Sequence, residues 1–228
     1  MSFDDDAAGW AEYWAPLGAP AREAVADALE LGAGKRVLDA GCGSGEFLRL
    51  ARERGAYVEG IDSSPAMAAL ARARVGSLDV LPFPAASFDF VTGFNSLQFA
   101  PDPVMALREW RRVAPVLAVV AWGELSELDV IENALRRLAG LDPLGARFIL
   151  RLPELAREAG LTITRRWNVS VPFEADRERL LAAALWDARS YELEETHASE
   201  VILRAAEPFR RANGSYRLEN TFVATLLR

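Results

Sequence analysis

The chain has 228 residues, 51% hydrophobic and 26% charged, enough for one large α/β domain with a full core. A net charge of −7 argues against a broad basic surface, so no nucleic-acid partner is expected. A single cysteine, Cys42, allows no internal disulfide and fits a reducing cytoplasm. The acidic start, Met1 to Asp6, lacks the basic and apolar runs of a secretory signal, and no apolar stretch is long enough to span a bilayer. A soluble, cytoplasmic protein without membrane insertion is therefore expected.

In chain order, Trp10, Tyr13 and Trp14 fall close together at 8–15 and open an N-terminal helical cap over about residues 1–31. Pro20 suits the start of a helix in which Ala24, Val25, Ala28 and Leu29 recur at helical spacing, and Gly32 and Gly34 end it. Strand-like runs at 36–40, 57–61, 88–93 and 116–121 then alternate with helical runs at 45–54, 65–74 and 103–113. Such alternation predicts a parallel sheet with helices on both faces.

The second half changes character. Residues 126–140 carry Leu128, Ile131, Leu135 and Leu138 on one helical side, and a helix at 152–159 stops at Gly160. Strand-like runs at 161–171 and 215–227 bracket helical segments at 175–190 and 195–211. The last run alternates polar and apolar residues, which suits an antiparallel strand at or near the end of the sheet. Residues 1–228 read as one domain, with segments at about 124–150 and 174–212 inserted as caps.

The stretch Val37-Leu38-Asp39-Ala40-Gly41-Cys42-Gly43-Ser44-Gly45 carries the most chemistry. Glycines at alternate positions let a ligand lie against bare backbone where a strand turns into a helix. The free N–H groups of that helix start attract a carboxylate or phosphate. The spacing is not the G-x-G-x-x-G of a nicotinamide-dependent oxidoreductase. Asp39 beside the turn repels a pyrophosphate but suits an ammonium or orients the loop amides, which favours a cofactor bearing an amino acid. Asp62 ends the next strand, where a carboxylate accepts hydrogen bonds from ribose hydroxyls.

These residues, 36–45 and 57–67, followed by Leu81-Pro82-Phe83-Pro84 and Ser87-Phe88-Asp89, resemble class I S-adenosylmethionine-dependent methyltransferases. The nearest group is the small-molecule type similar to ubiquinone/menaquinone-biosynthesis methyltransferases, over about residues 35–123. The resemblance implies a Rossmann-like α/β fold: a seven-stranded, mostly parallel sheet with an antiparallel last strand and helices on both faces. It implies S-adenosylmethionine as cofactor. Asp39, Gly41, Cys42, Gly43 and Gly45 would hold its methionine part and Asp62 its ribose, with Ser63 and Met67 flanking the adenosine. Ser77 and Leu78 match the segment that meets adenine, although Ser77 stands where the family often has an acid. The Pro-Gly-Gly turn usual before the fifth strand is absent.

Asn95, Ser96, Gln98 and Phe99 follow the fourth strand and are candidates to face the transferring methyl, Asn95 and Ser96 with the cofactor and Gln98 and Phe99 with the acceptor. A histidine frequent near Gln98 in similar proteins is missing. Trp10, Tyr13, Trp14 and Trp122 are candidates for the acceptor pocket, since aromatic faces attract cations. The only histidine, His197, lies in a polar helical stretch and reads as a surface residue, and no Cys/His cluster suggests a metal. Because the cofactor carries an activated group, the protein mainly supplies position, and no catalytic residue is assigned. The function expected is methyl transfer by in-line displacement to a small-molecule acceptor; the alternative is a catalytically inactive cofactor-binding or partner domain.

Overall fold

The computed structural model describes residues 6–228; the first five residues of the acidic start and of the expected cap lie outside them. The elements in order are α1 (Ala7–Tyr13), α2 (Ala19–Ala28), β1 (Arg36–Ala40), α3 (Glu46–Glu53), β2 (Tyr57–Asp62), α4 (Pro65–Ala71), β3 (Arg74–Val75), β4 (Phe90–Phe94), α5 (Pro103–Val113) and β5 (Val116–Ser126). Then come α6 (Leu128–Leu138), α7 (Leu152–Glu158), β6 (Ile163–Ser170), β7 (Phe173–Ala175), α8 (Arg177–Ala188), α9 (Glu195–Ala206), β8 (Tyr216–Leu218) and β9 (Asn220–Leu227). Local chemistry sets many boundaries. Asp102 caps α5 by accepting from the Val104 and Met105 amides, with Pro103 just inside. Ser64 caps α4 by accepting from the Met67 amide at 3.1 Å.

Seven strands form one sheet in the order β3-β2-β1-β4-β5-β9-β6. β1 to β5 pair in parallel, while β9 runs antiparallel to both β5 and β6. The expected Rossmann-like sheet with an antiparallel last strand is what forms. Period-two alternation along β5 divides the core between the two faces. Leu117, Val119 and Ala121 join Trp110, Leu107, Ile149 and Leu152 on one side. Ala118 and Val120 join Val25, Ile131, Leu180 and Ile202 on the other.

The expected run at 215–227 is two strands. Residues 216–218 pair with β7 in a separate two-stranded sheet, and only 220–227 enter the main one, inserted between β5 and β6. The break sits at Glu219 and Asn220. The Glu219 amide donates to Glu127 Oε2 at 2.6 Å, and the Glu127 amide donates to the Glu219 carbonyl at 3.0 Å. Asn220 Oδ1, fully buried, accepts from the Leu128 amide and from Ser126 Oγ, each at 3.2 Å. The helix expected at 65–74 ends at Ala71, where Arg72 adopts a left-handed conformation (φ 54°) and frees Arg74 and Val75 to pair with β2 as a short edge strand.

The sequence leaves β1 in opposite directions, to β2 on one side and β4 on the other, so a crevice opens at their carboxyl ends. Trp110 holds this region from below. Its ring is fully buried, and its Nε1 donates to the Leu78 carbonyl at 3.0 Å. We expect Trp110→Ala to lower the unfolding free energy by about 3–5 kcal/mol in urea melts, as for large aromatic deletions from cores. A loss within about 0.5 kcal/mol, the range of surface changes, would contradict this packing.

Candidate functional site

At the crevice the backbone is tied across neighbouring strand ends. The Gly41 and Cys42 amides donate to the Ile61 carbonyl at 2.8 and 3.1 Å. The Gly43 amide donates to Asp62 Oδ2 at 2.8 Å, while Asp62 Oδ1 accepts from the Ser64 amide at 2.9 Å. Asp62, rather than Asp39, therefore orients a loop amide. On the β4 side Ser96 Oγ donates to the Ala40 carbonyl at 2.6 Å. Gly41 has φ 74°, and a Cβ there would collide with Ser96, so only glycine fits between the two strand ends.

Asp39 points into the protein. It is 2% exposed, and its Oδ1 accepts from Thr92 Oγ1 at 2.7 Å. Burial pushes its carboxyl up to about 7, against the opposing effects of the Thr92 hydrogen bond and the Arg22 charge. Cys42 is also buried, and its thiol is held well above the ordinary range by burial and by Asp39 and Asp62. It is an inert wall rather than a nucleophile.

A cavity of about 570 Å³ runs from this turn into the space under α1, α6 and α8. Of the expected cofactor residues, Asp39, Gly41, Cys42, Gly43, Asp62, Ser63, Met67, Leu78, Asn95 and Ser96 line it. Of the expected acceptor residues, Trp10, Trp14, Gln98, Phe99 and Trp122 line it. Gly45, Ser77 and Tyr13 do not. Gly45 (φ 89°) begins α3 and packs where a Cβ would press on Ala71 at 3.0 Å. Ser77 turns its hydroxyl to the Asp79 carboxylate. Tyr13 is partly buried and packs against the core cluster on that face of the sheet.

Sequence reading missed several lining residues. Leu128, Ile131, Glu132 and Leu135 present one face of α6; Leu180, Ala183, Ala184, Asp187 and Ser190 continue one face of α8. Their i, i+3, i+4 spacing was the available signal, since each stripe carries an acid where an apolar residue is usual. Arg22, Glu46, Asp129 and Arg147 also line the cavity; Arg147 pairs with Asp129 and lies 5.5 Å from the Trp122 ring centre. His197 is exposed and outside the lining. Among the described residues no group of three or more His, Cys, Asp or Glu is arranged to hold a metal, and no helix is long and apolar enough to cross a membrane.

The aromatic wall is assembled from distant segments. Trp10 and Trp186 lie 6.3 Å apart, Trp14 stacks on Phe173 at 5.8 Å, and Trp122 meets Phe222 edge-on at 4.8 Å. Asp6 caps α1 through the Gly9 amide at 2.8 Å, accepts from Trp186 Nε1 at 2.8 Å and pairs with Arg189. Gly9 permits this approach, because any side chain there would meet Trp186.

The architecture and the glycine turn define an α/β protein with a ligand-sized crevice where β1 meets β4. Comparison with known proteins narrows it. Residues 38–115 match the family described as Methyltransferase domain. The chain is 36% identical over 107 residues to a malonyl-[acyl-carrier protein] O-methyltransferase of Serratia marcescens, covering 42% of each chain. It is 37% identical over 93 residues to a ubiquinone biosynthesis O-methyltransferase of Hahella chejuensis, covering 36% of this chain and 39% of that one. The matched region thus spans about half or less of the curated relatives' length. The fold of the YcgJ protein of Bacillus subtilis superposes with a TM-score of 0.57 at 21% identity, covering 90% of this chain and 97% of that one. The matched segment, which carries the glycine turn and Asp62, is similar to S-adenosylmethionine-dependent methyltransferases, and S-adenosylmethionine is the cofactor that this similarity indicates.

The residues present fit that cofactor. Among the described residues no donor meets Asn95 Oδ1 or Gln98 Oε1, buried acceptors on side chains that line the cavity. Asn95 also takes φ 51°, a left-handed conformation that asparagine tolerates better than most residues with a side chain. Unmet acceptors and buried carboxylates suit a ligand with an ammonium and hydroxyl groups.

Asp39 makes the ligand-free protein pH-sensitive. The folded carboxyl titrates at about 7, whereas an unfolded aspartate titrates at about 3.9. Between these values the unfolded chain has released its proton and the folded one has not, so stability falls by up to about 1.4 kcal/mol per pH unit as pH rises, levelling above 7. Asp39→Asn removes that loss. Its melting-temperature gain over the native protein should be larger at about pH 8 than at about pH 5; an equal or reversed difference would contradict a carboxyl raised by burial beyond what Thr92 and Arg22 offset.

Proposed function

We propose that this chain transfers the methyl group of S-adenosylmethionine to a small-molecule acceptor held in the same cavity. The observation that carries this reading is the continuity of the cavity from the Gly41–Gly43 turn and Asp62 to the aromatic chamber around Trp10, Trp14, Trp122 and Trp186. Its volume, about 570 Å³, is in the range of small-molecule sites. When bound, the cofactor supplies a methyl already activated on a sulfonium.

The protein's part is binding and placement. Asp62, which braces the turn and lines the cavity, would accept the ribose hydroxyls. The glycine turn, with Asp39 behind it, would face the amino-acid end; Ser63, Met67 and Leu78 would flank the adenosine. Trp10, Trp14 and Trp186 exclude water from the junction, while Gln98, Phe99 and Trp122 border the acceptor. With no histidine or thiolate at the site, orientation and desolvation supply most of the rate advantage.

A small acceptor rather than a nucleic acid is favoured by the lining itself. Asp39, Glu46, Asp62, Asp129, Glu132 and Asp187 outnumber Arg22 and Arg147, a balance that repels phosphates. In this reading the chain works as one domain, with about residues 1–31, 124–150 and 174–212 capping the site. The unpaired Cys42 is consistent with a cytoplasmic setting.

Titration calorimetry with S-adenosylmethionine and its demethylated product tests the cofactor site. Both should bind, and Asp62→Ala should weaken them by about tenfold or more, the loss of hydrogen bonds to a charged acceptor. No binding of either at millimolar concentration would sink the reading. Binding without transfer of labelled methyl to any member of a broad acceptor panel would instead identify a cofactor-binding domain without turnover.

A further inference from the structure

Among the described residues the cavity lining holds one unmet donor, Trp14 Nε1, beside unmet acceptors and several carboxyls. Asp187 lies on the α8 face that carries Leu180, Ala183 and Ala184, and Glu132 on the α6 face that carries Leu128, Ile131 and Leu135. The two helices pack together, so each acid interrupts an apolar stripe facing the other. Glu132 accepts from the Tyr191 hydroxyl and has the Arg136 guanidinium at 3.8 Å.

Among the described residues Asp187 has no hydrogen-bond or ion-pair partner. It is exposed along the cavity, yet enclosed enough that burial, with Glu132 adding its charge, pushes its carboxyl up to about 7. Arg147 pairs with Asp129 and Arg189 with Asp6, and Arg22 donates to the Ala15 carbonyl at 2.7 Å. Gln98 Oε1 is a second acceptor without a donor on the same lining. Around these groups stand Trp10, Trp14, Trp122, Trp186 and Phe173. A carboxylate without a partner inside an aromatic wall matches one kind of ligand group, a protonated amine, which both the charge and the ring faces attract.

We propose that the acceptor carries a cationic amine and that Asp187, supported by Glu132, is its anchor and the specificity-determining residue of the cavity. The proposal rests on the methyl-transfer reading for the position of the acceptor, and it concerns recognition, not the atom methylated. A neutral or anionic molecule of the same shape leaves Asp187 without its partner. An amine satisfies the carboxylate and relieves its repulsion with Glu132. Asp187 thus selects among aromatic molecules that the tryptophans alone would accept alike.

The test uses the full chain saturated with the demethylated cofactor, so that a failure of the cofactor reading shows first as absent cofactor binding. Tryptamine and phenethylamine are titrated by calorimetry against the matching alcohols and carboxylates. Each amine should bind about tenfold or more tighter than its alcohol, as expected for a charge-assisted contact in an enclosed site. Asp187→Asn should reduce that preference to about threefold or less, and Glu132→Gln should reduce it partly. The cofactor affinity and melting temperature of Asp187→Asn report that the variant is folded. The proposal is overturned if alcohols or carboxylates bind as tightly as amines, if the preference survives Asp187→Asn, or if the cofactor binds and no amine does at millimolar concentration.

Discussion

The carboxylate of Asp62 is the constraint on which the site depends. By accepting the Gly43 amide from the neighbouring strand end and the Ser64 amide from its own, it fixes the shape of the glycine turn and the start of α4 together. The Ile61 carbonyl, taking the Gly41 and Cys42 amides, completes the tie. A loop rich in glycine is otherwise the least ordered kind of backbone, and holding it by hydrogen bonds rather than by side-chain bulk keeps the surface bare for a ligand. The same logic operates on the β4 side, where Ser96 holds the Ala40 carbonyl and excludes every residue but glycine at position 41.

Behind this frame the cavity divides into two chemistries. The floor at β1 and β2 is polar backbone with buried carboxyls. The walls contributed by α1, α6 and α8 are aromatic and aliphatic, interrupted by acids. Asp39 and Asp187 share a physical situation, each raised to about 7 chiefly by burial. They differ in what meets them: Asp39 is closed off and bonded to Thr92, whereas Asp187 opens onto the cavity without a partner.

Most of the sheet was legible because its strands are short apolar runs closed by turn residues. α5 was legible to the residue because Asp102 and Pro103 start it and Pro115 prevents its extension. The division of 215–227 was not, since the polar–apolar alternation continues through Glu219; what breaks the strand is the tertiary bond to Glu127. The two-residue β3 is too short for any period. Within the site, the glycine turn and Asp62 could be read because the backbone geometry they impose is local. Gly45 lies in the motif, and Ser77 stands where that family often has an acid, but both face other partners in space. Asp187 was visible as a letter in a helix; which side of α8 turns inward is decided by α1 and α6, far away in the chain.

The position of β9 has a consequence for how the molecule comes into being. β5 is finished at Ser126, but the residue that Ser126 meets across the sheet, Asn220, lies 94 residues later. Closing a loop of that length costs about 4 kcal/mol in chain entropy before any contact rewards it. Until it closes, the apolar strand Val116-Leu117-Ala118-Val119-Val120-Ala121-Trp122 offers a bare edge to whatever chain is near. The newly made protein therefore passes through a stage when β5 can pair with a neighbouring copy, and β9, synthesised long after β5, is what removes that hazard.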